Sequence, residues 1–77
     1  MKALVELLVT SLVDHPEEVR VIETTEEGGT YNYEVHVAPQ DTGKVIGKQG
    51  RTVKAMRALL SAASAKLRKR ADLEILE

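Results

Sequence analysis

The chain has 77 residues, 43% hydrophobic and 30% charged, with two tyrosines as its only aromatics, no cysteine and a net charge of −1. Residues 1–77 are therefore expected to form a single small domain that buries about 60% of its unfolded surface, with stability modest enough to gain from a homodimer or a larger partner. Disulfides and thiolate metal sites are excluded; an acid at Glu6 comes too early for a signal peptide, and no apolar run approaches the ~18 residues of a membrane span, so a soluble cytoplasmic protein is expected.

Residues 2–14 are predicted to be helical. Lys2, Glu6, Thr10 and Asp14 form a narrow polar stripe, and Leu4, Val5, Leu7, Leu8, Val9, Leu12 and Val13 cover most of the remainder. An apolar arc this wide implies burial against a sheet and a second element. Pro16 disfavours helix at His15 and ends the element. Residues 19–25, rich in β-branched side chains, predict a strand, and Thr24-Thr25-Glu26-Glu27-Gly28-Gly29-Thr30 is turn material leading into a returning strand over 31–37. There Tyr31, Tyr33, Val35 and Val37 alternate with Asn32, Glu34 and His36, the pattern of a sheet covered on one side. Pro39 breaks this strand. Residues 40–46 read as a short helix or turn with Asp41 or Thr42 as N-cap. Gly50 or Arg51 opens a long helix to about Arg70. In it Val53, Met56, Leu59, Leu60, Ala63 and Leu67 face the core, while Lys54, Arg57, Ser61, Ser64 and Arg68 form a polar face. Ala55, Ala58, Ala62 and Ala65 form a stripe of small residues. Residues 71–76 close the chain as a strand. The order is α-β-β-α-α-β, with the middle strands paired as a hairpin and the last strand parallel to the second after a right-handed crossover. The expected fold is a two-layer α/β (α+β) domain: a three-stranded mixed sheet with three helices on one face.

Charge is polarised along the chain. Residues 1–40 carry eight acids against Lys2 and Arg20, a net of −6; residues 41–70 carry nine bases against Asp41 alone, a net of +8. The basic segment contains Val45-Ile46-Gly47-Lys48-Gln49-Gly50-Arg51-Thr52-Val53-Lys54. Glycine at both ends of the turn allows a sharp bend and close approach. The helix that follows begins with amides that lack helical partners and carry the positive end of the dipole. With Lys48, Arg51 and Lys54 beside it, this is an anion site, and the charge around it points to nucleic-acid phosphate.

The plainer alternatives are a solvated helix–helix turn at 47–50 and an exposed helix face at Arg51, Lys54 and Arg57. Lys66, Arg68, Lys69 and Arg70 suit the negative end of the helix dipole. The alanine stripe reads equally as helix-forming filler and as a surface for close approach of a second helix. His15 and His36 have no partners at ligand spacing, so no metal is expected. Gly43-Lys44-Val45-Ile46-Gly47-Lys48-Gln49 is not a triphosphate loop, because three residues separate its glycines and Gln49 stands where Ser or Thr holds magnesium. With no nucleophile–base or paired-acid constellation, neither an enzyme, a cofactor nor a small-molecule substrate is expected.

Residues 45–56, with an apolar pair before G-x-x-G and apolar positions recurring along the next helix, resemble the signature of a KH domain. The element order is similar to the type II, prokaryotic arrangement, and the length to that of small bacterial single-KH-domain RNA-binding proteins (KhpA-like). The resemblance covers essentially the whole chain. It implies single-stranded RNA in a groove between the G-x-x-G wall and the last strand, with the loop clamping the backbone of about four nucleotides. Gly47, Lys48, Gln49 and Gly50 would be the clamp, Val45, Ile46 and Val53 the apolar floor, and Arg51 and Lys54 flanking phosphate contacts. It also implies self-association, pairing with a larger KH-containing RNA-binding protein, and a role as RNA chaperone or post-transcriptional regulator. Tyr31 and Tyr33 sit on the expected core face, so little stacking is available and one domain should bind weakly. Two or three neutralised phosphates give a salt slope of about −1.4 to −2. The competing function is a protein-interaction module that docks a partner on its long helix and binds little RNA.

Overall fold

Val5 and Val9, one turn apart on the helix α1 (Lys2–Leu12), are wholly enclosed and set the face on which the first helix packs. The computed structural model describes residues 1–76. Beneath α1 lies a three-stranded sheet of β1 (Arg20–Glu26), β2 (Thr30–His36) and β3 (Arg70–Leu76), in that spatial order. β1 runs antiparallel to β2, with Val21 opposite Val35 and Glu23 opposite Tyr33. β3 runs parallel to β2, with Leu73 opposite Tyr33. Between β2 and β3 come α2 (Thr42–Ile46) and α3 (Arg51–Lys66). The α-β-β-α-α-β order and the mixed sheet are those expected from the sequence, with α1, α2 and α3 contributing to the core.

Because side chains alternate across a strand, one sheet face carries Val21, Tyr33, Val35 and Leu73. These join Val5, Val9, Val45, Val53, Met56 and Leu60 in a single core. Burying each such aliphatic side chain contributes about 1.5–3 kcal/mol relative to leaving it in water. The other face is polar: Thr24, Glu26, Asn32, Glu34, Asp72 and Glu74 line a shallow concavity. The alternation read from residues 31–37 thus reports a sheet covered on one side.

Several expectations need correction. α1 ends at Leu12 rather than Asp14: Val13 is extended (φ −98°, ψ 159°), and the amides of Asp14 and His15 donate to the Asp41 carboxylate at 3.3 and 3.0 Å. Asp41 occupies the position before α2, but its side chain does not cap that helix. It is buried and ties the α1–β1 connection to the α2 entrance. α3 ends at Lys66, not near Arg70. Arg68 takes a left-handed conformation (φ 57°), and Lys69 N–H and Arg68 N–H donate to the carbonyls of Ser64 (2.9 Å) and Ala65 (3.0 Å). This is a Schellman closure with arginine where glycine is usual.

The core face of α3 is also narrower than expected. Its buried column is Val53, Met56, Leu60 and Ser64. Ser64, assigned to the polar face, is only 2% exposed, whereas Leu59 and Leu67 are 52% and 59% exposed. A three-stranded sheet covers one column of side chains, and the neighbouring column at 59, 63 and 67 is left outside it. The basic charge is likewise divided. Lys48 precedes α3 and Arg51, Lys54 and Arg57 lie in its first two turns, whereas Lys66 is its last residue and Arg68, Lys69 and Arg70 follow it. Between Arg57 and Lys66 the helix advances nine residues, about 14 Å.

Candidate nucleic-acid interface

The turn between α2 and α3 is built around Gly47. Its φ of 78° and ψ of 170° lie in a region open almost only to glycine. Its amide closes α2 on the Gly43 carbonyl at 2.8 Å. A Cβ here would meet Thr52: 2.7 Å from its Cβ, 2.8 Å from its amide nitrogen, and against its Oγ1. The chain then makes a single 3-10 turn over Lys48–Gly50, closed by Gly50 N–H on the Gly47 carbonyl at 3.1 Å. Gln49 is left-handed (φ 58°, ψ 25°) without being glycine, a conformation that costs about 1 kcal/mol. Gly50 is left-handed as well (φ 73°, ψ 14°) and leads directly into Arg51. Two successive left-handed residues turn the chain back on itself and leave the Lys48 and Gln49 side chains exposed.

The electrostatics favour an anion. No side chain caps α3 and its first turn holds no acid, so the positive end of its dipole is not neutralised from within. Among the described residues, Lys48, Arg51 and Lys54 form no ion pair, and all three are exposed. Arg51 Nη2 approaches Gln49 Oε1 at 3.4 Å. Lys44, one turn earlier, is engaged: it pairs with Asp14, which holds the Asp14 carboxyl below, and the Lys44 ammonium above, its ordinary range.

The residues expected to form an apolar floor are not equivalent. Val45 is 0% exposed and packs in the core, so it anchors α2 from beneath and has no surface to offer a ligand. Val53 is nearly enclosed, whereas Ile46 is 37% exposed beside the turn. Opposite this wall, β3 forms the sheet edge. There Arg57 Nε and Nη2 donate to the Leu73 carbonyl at 3.1 and 3.0 Å. The sequence places Arg57 one turn beyond Lys54 on the polar face but carries no sign of the strand carbonyl it meets. Thr52, packed under Gly47, and buried Asp41 were equally out of reach.

The alanine stripe at Ala55, Ala58, Ala62 and Ala65 is exposed along α3. Beside it an apolar groove of about 490 Å³ is lined by Met1, Leu4, Leu59, Ala62, Ala63 and Leu67, with Lys66 at its border. The expectation that His15 lacks partners at ligand spacing does not hold, since His15, Glu17 and Glu18 bring ligand atoms within 4.8 Å of one another. All lie at the surface of one turn, and His15 Nδ1 is 3.5 Å from Glu17 Oε1, the geometry of an ordinary exposed pair.

Comparison with known proteins agrees with this geometry. The family described as "KhpA/KhpB, KH domain" matches residues 2–75. The chain is 49% identical to the RNA-binding protein KhpA of Halalkalibacterium halodurans over 77 residues, all of both chains. It is 51% identical to that of Clostridium acetobutylicum over 76 residues, 99% of this chain and 100% of the other. With that of Thermotoga maritima it shares 52% identity over 62 residues, 80% of this chain and 81% of the relative. A match over nearly every residue, centred on a G-x-x-G turn in a type II element order, shows that the chain belongs to the KhpA/KhpB KH-domain family.

Proposed function

We propose that this chain is a single-domain, non-enzymatic RNA-binding protein that clamps the sugar-phosphate backbone of single-stranded RNA at Gly47-Lys48-Gln49-Gly50. Lys48, Arg51 and Lys54 take phosphates, Ile46 and the edge of Val53 lie beside the bases, and Val45 holds the wall from within. One observation carries this reading: a glycine-dependent bend holds three unpaired cations at an uncapped helix start, in a chain about half identical to proteins named RNA-binding protein KhpA. Amides and fixed cations suffice for such a grip, and neither a metal nor a cofactor enters it. Membership in this family, together with the free loop cations, disfavours the alternative of an adaptor with little RNA binding.

No helix among the described residues is long and apolar enough to cross a membrane, and we place the protein in the cytoplasm as an RNA chaperone or post-transcriptional regulator. The outer face of α3 is assigned to contact with a second copy, or with a larger KH-containing protein. Exposed Ala55, Ala58, Ala62 and Ala65 permit close approach, and the adjoining groove supplies Leu59 and Leu67 as apolar anchors. A dimer that brings two clamps onto one strand raises apparent affinity through effective concentration.

The test replaces Lys48 and Gln49 with Asp and measures fluorescence anisotropy with a short single-stranded RNA. Loss of binding with an unchanged circular dichroism spectrum supports the clamp; undiminished binding overturns it. Ala62→Glu, followed by sedimentation velocity, tests the helix face. A shift toward monomer is expected, and an unchanged mass rejects that surface.

A further inference from the structure

Arg57 lies seven residues past Gly50 on α3, about 10 Å along the helix from the turn. Its side chain is exposed, yet both Nε and Nη2 donate to the Leu73 carbonyl of β3. That carbonyl belongs to the outer edge of the sheet. Arg70 N–H and Leu76 C=O bond toward Gly29 and Val37, at the two ends of β2. Main-chain groups alternate along a strand, so Leu73 turns its own away from β2. α3 leads into β3 through a tight turn and the strand runs back alongside it, so Arg57 stands between the strand edge and the clamp.

A guanidinium carries five N–H donors in a planar fork arrangement. The Nε/Nη2 edge is spent on Leu73. The Nη1/Nη2 edge makes no hydrogen bond among the described residues, and geometry directs it off the strand. An exposed arginine ordinarily loses rotamer freedom when it binds; one already anchored loses less. The tyrosines offer no competing plane: Tyr33 is buried and Tyr31 is on the helix-covered face. Bases splayed from single-stranded RNA stack on guanidinium planes and are read along their Watson–Crick and Hoogsteen edges.

We propose that Arg57 is the residue that discriminates among bases in the bound strand. Its free fork donates to two neighbouring acceptors on one base edge: O6 and N7 of guanine, or N3 and O2 of cytosine. Adenine and uracil alternate donor and acceptor on their pairing edges and present no such couple. Choice of base thus comes from a side chain whose orientation the strand edge has already fixed. This rests on the RNA reading above and adds base choice to it.

The experiment compares wild type, Arg57→Lys and Arg57→Gln by anisotropy on a short oligouridine and on the same oligomer with one central guanosine, cytidine or adenosine. Wild type should favour the guanosine or cytidine oligomer by about tenfold, and both variants should bring that ratio toward one. If guanosine is the favoured base, 7-deazaguanosine in its place should abolish the gain. Equal wild-type affinity for all four oligomers, or a preference that survives in Arg57→Lys, overturns the assignment and leaves Arg57 as a cover for the strand edge. The Lys48/Gln49→Asp variant separates the two failures. Binding that it removes, but that shows no base preference, sinks only the Arg57 assignment. Binding that it does not remove sinks the clamp and the inference together.

Discussion

Gly47→Ala attacks the turn where the backbone has least latitude. The native φ of 78° and ψ of 170° cost a residue with a Cβ about 1–3 kcal/mol. The added methyl is driven onto Thr52, including its backbone nitrogen at 2.8 Å, and overpacking of this kind adds about 1–3 kcal/mol. The combined loss is about 3 kcal/mol, out of roughly 4–12 kcal/mol for a domain of this size. Gly50→Ala is the internal control. It is also left-handed (φ 73°), but its Cβ meets nothing nearer than Lys54 Cε at 4.0 Å, so only the conformational penalty of about 1 kcal/mol applies. Urea unfolding followed by far-ultraviolet circular dichroism gives both values by linear extrapolation. Gly47→Ala should be the more destabilised by about 2 kcal/mol, with chemical-shift changes spreading from Thr52. If the two variants unfold within about 0.5 kcal/mol of each other, the close packing of Gly47 on Thr52 is not what shapes the turn.

Further consequences concern the scaffold. Tyr33 is buried and its hydroxyl donates to Glu23 Oε2 at 2.6 Å; burial first, and then the Glu23 carboxylate, push its ionisation above the ordinary tyrosine range. The folded state therefore resists losing this proton, and the stabilisation is complete below the unfolded value near pH 10 and declines as pH rises beyond it. Melting curves between pH 9 and 11 should steepen in their loss of stability for wild type relative to Tyr33→Phe, and parallel curves would refute the coupling. Asp41→Ala should cost about 2 kcal/mol and remove hydrogen-exchange protection at the Asp14 and His15 amides, which donate to it; retained protection would show that the latch lies elsewhere. Lys44 depresses the Asp14 carboxyl, so the pair's contribution is present above the unfolded carboxylate value and lost as pH falls through the lower folded one. In Lys44→Ala an NMR titration should return Asp14 to the ordinary carboxylate range, and an unmoved titration would contradict the pairing.

The order of elements was legible because each carried a local signal. Residues 31–37 alternate with period two, prolines bracket the α1–β1 and β2–α2 connections, and two glycines mark the loop. The position of Lys48, Gln49, Arg51 and Lys54 beside an uncapped helix start followed from the same signals. What was illegible depends on distant partners. Asp41 looked like a helix cap, since its amide partners lie 27 and 26 residues earlier. Arg68 ends α3 in a conformation usually given to glycine, so the helix seemed four residues longer. Leu59 and Leu67 have helical spacing suited to a core, but the narrow sheet leaves their column uncovered. The resemblance implies Val45 as groove lining, and it is instead fully enclosed. Arg57 reads as one more surface cation until β3 brings the Leu73 carbonyl against it.

The clamp is tested most directly by titrating the 15N-labelled protein with a short single-stranded RNA at several salt concentrations. Shift changes should gather at residues 46–54 and Arg57, with a salt slope of about −1.4 to −2, the signature of two or three phosphates. Changes confined to the acidic sheet face around Glu34 and Glu74, or no changes at all, would contradict it.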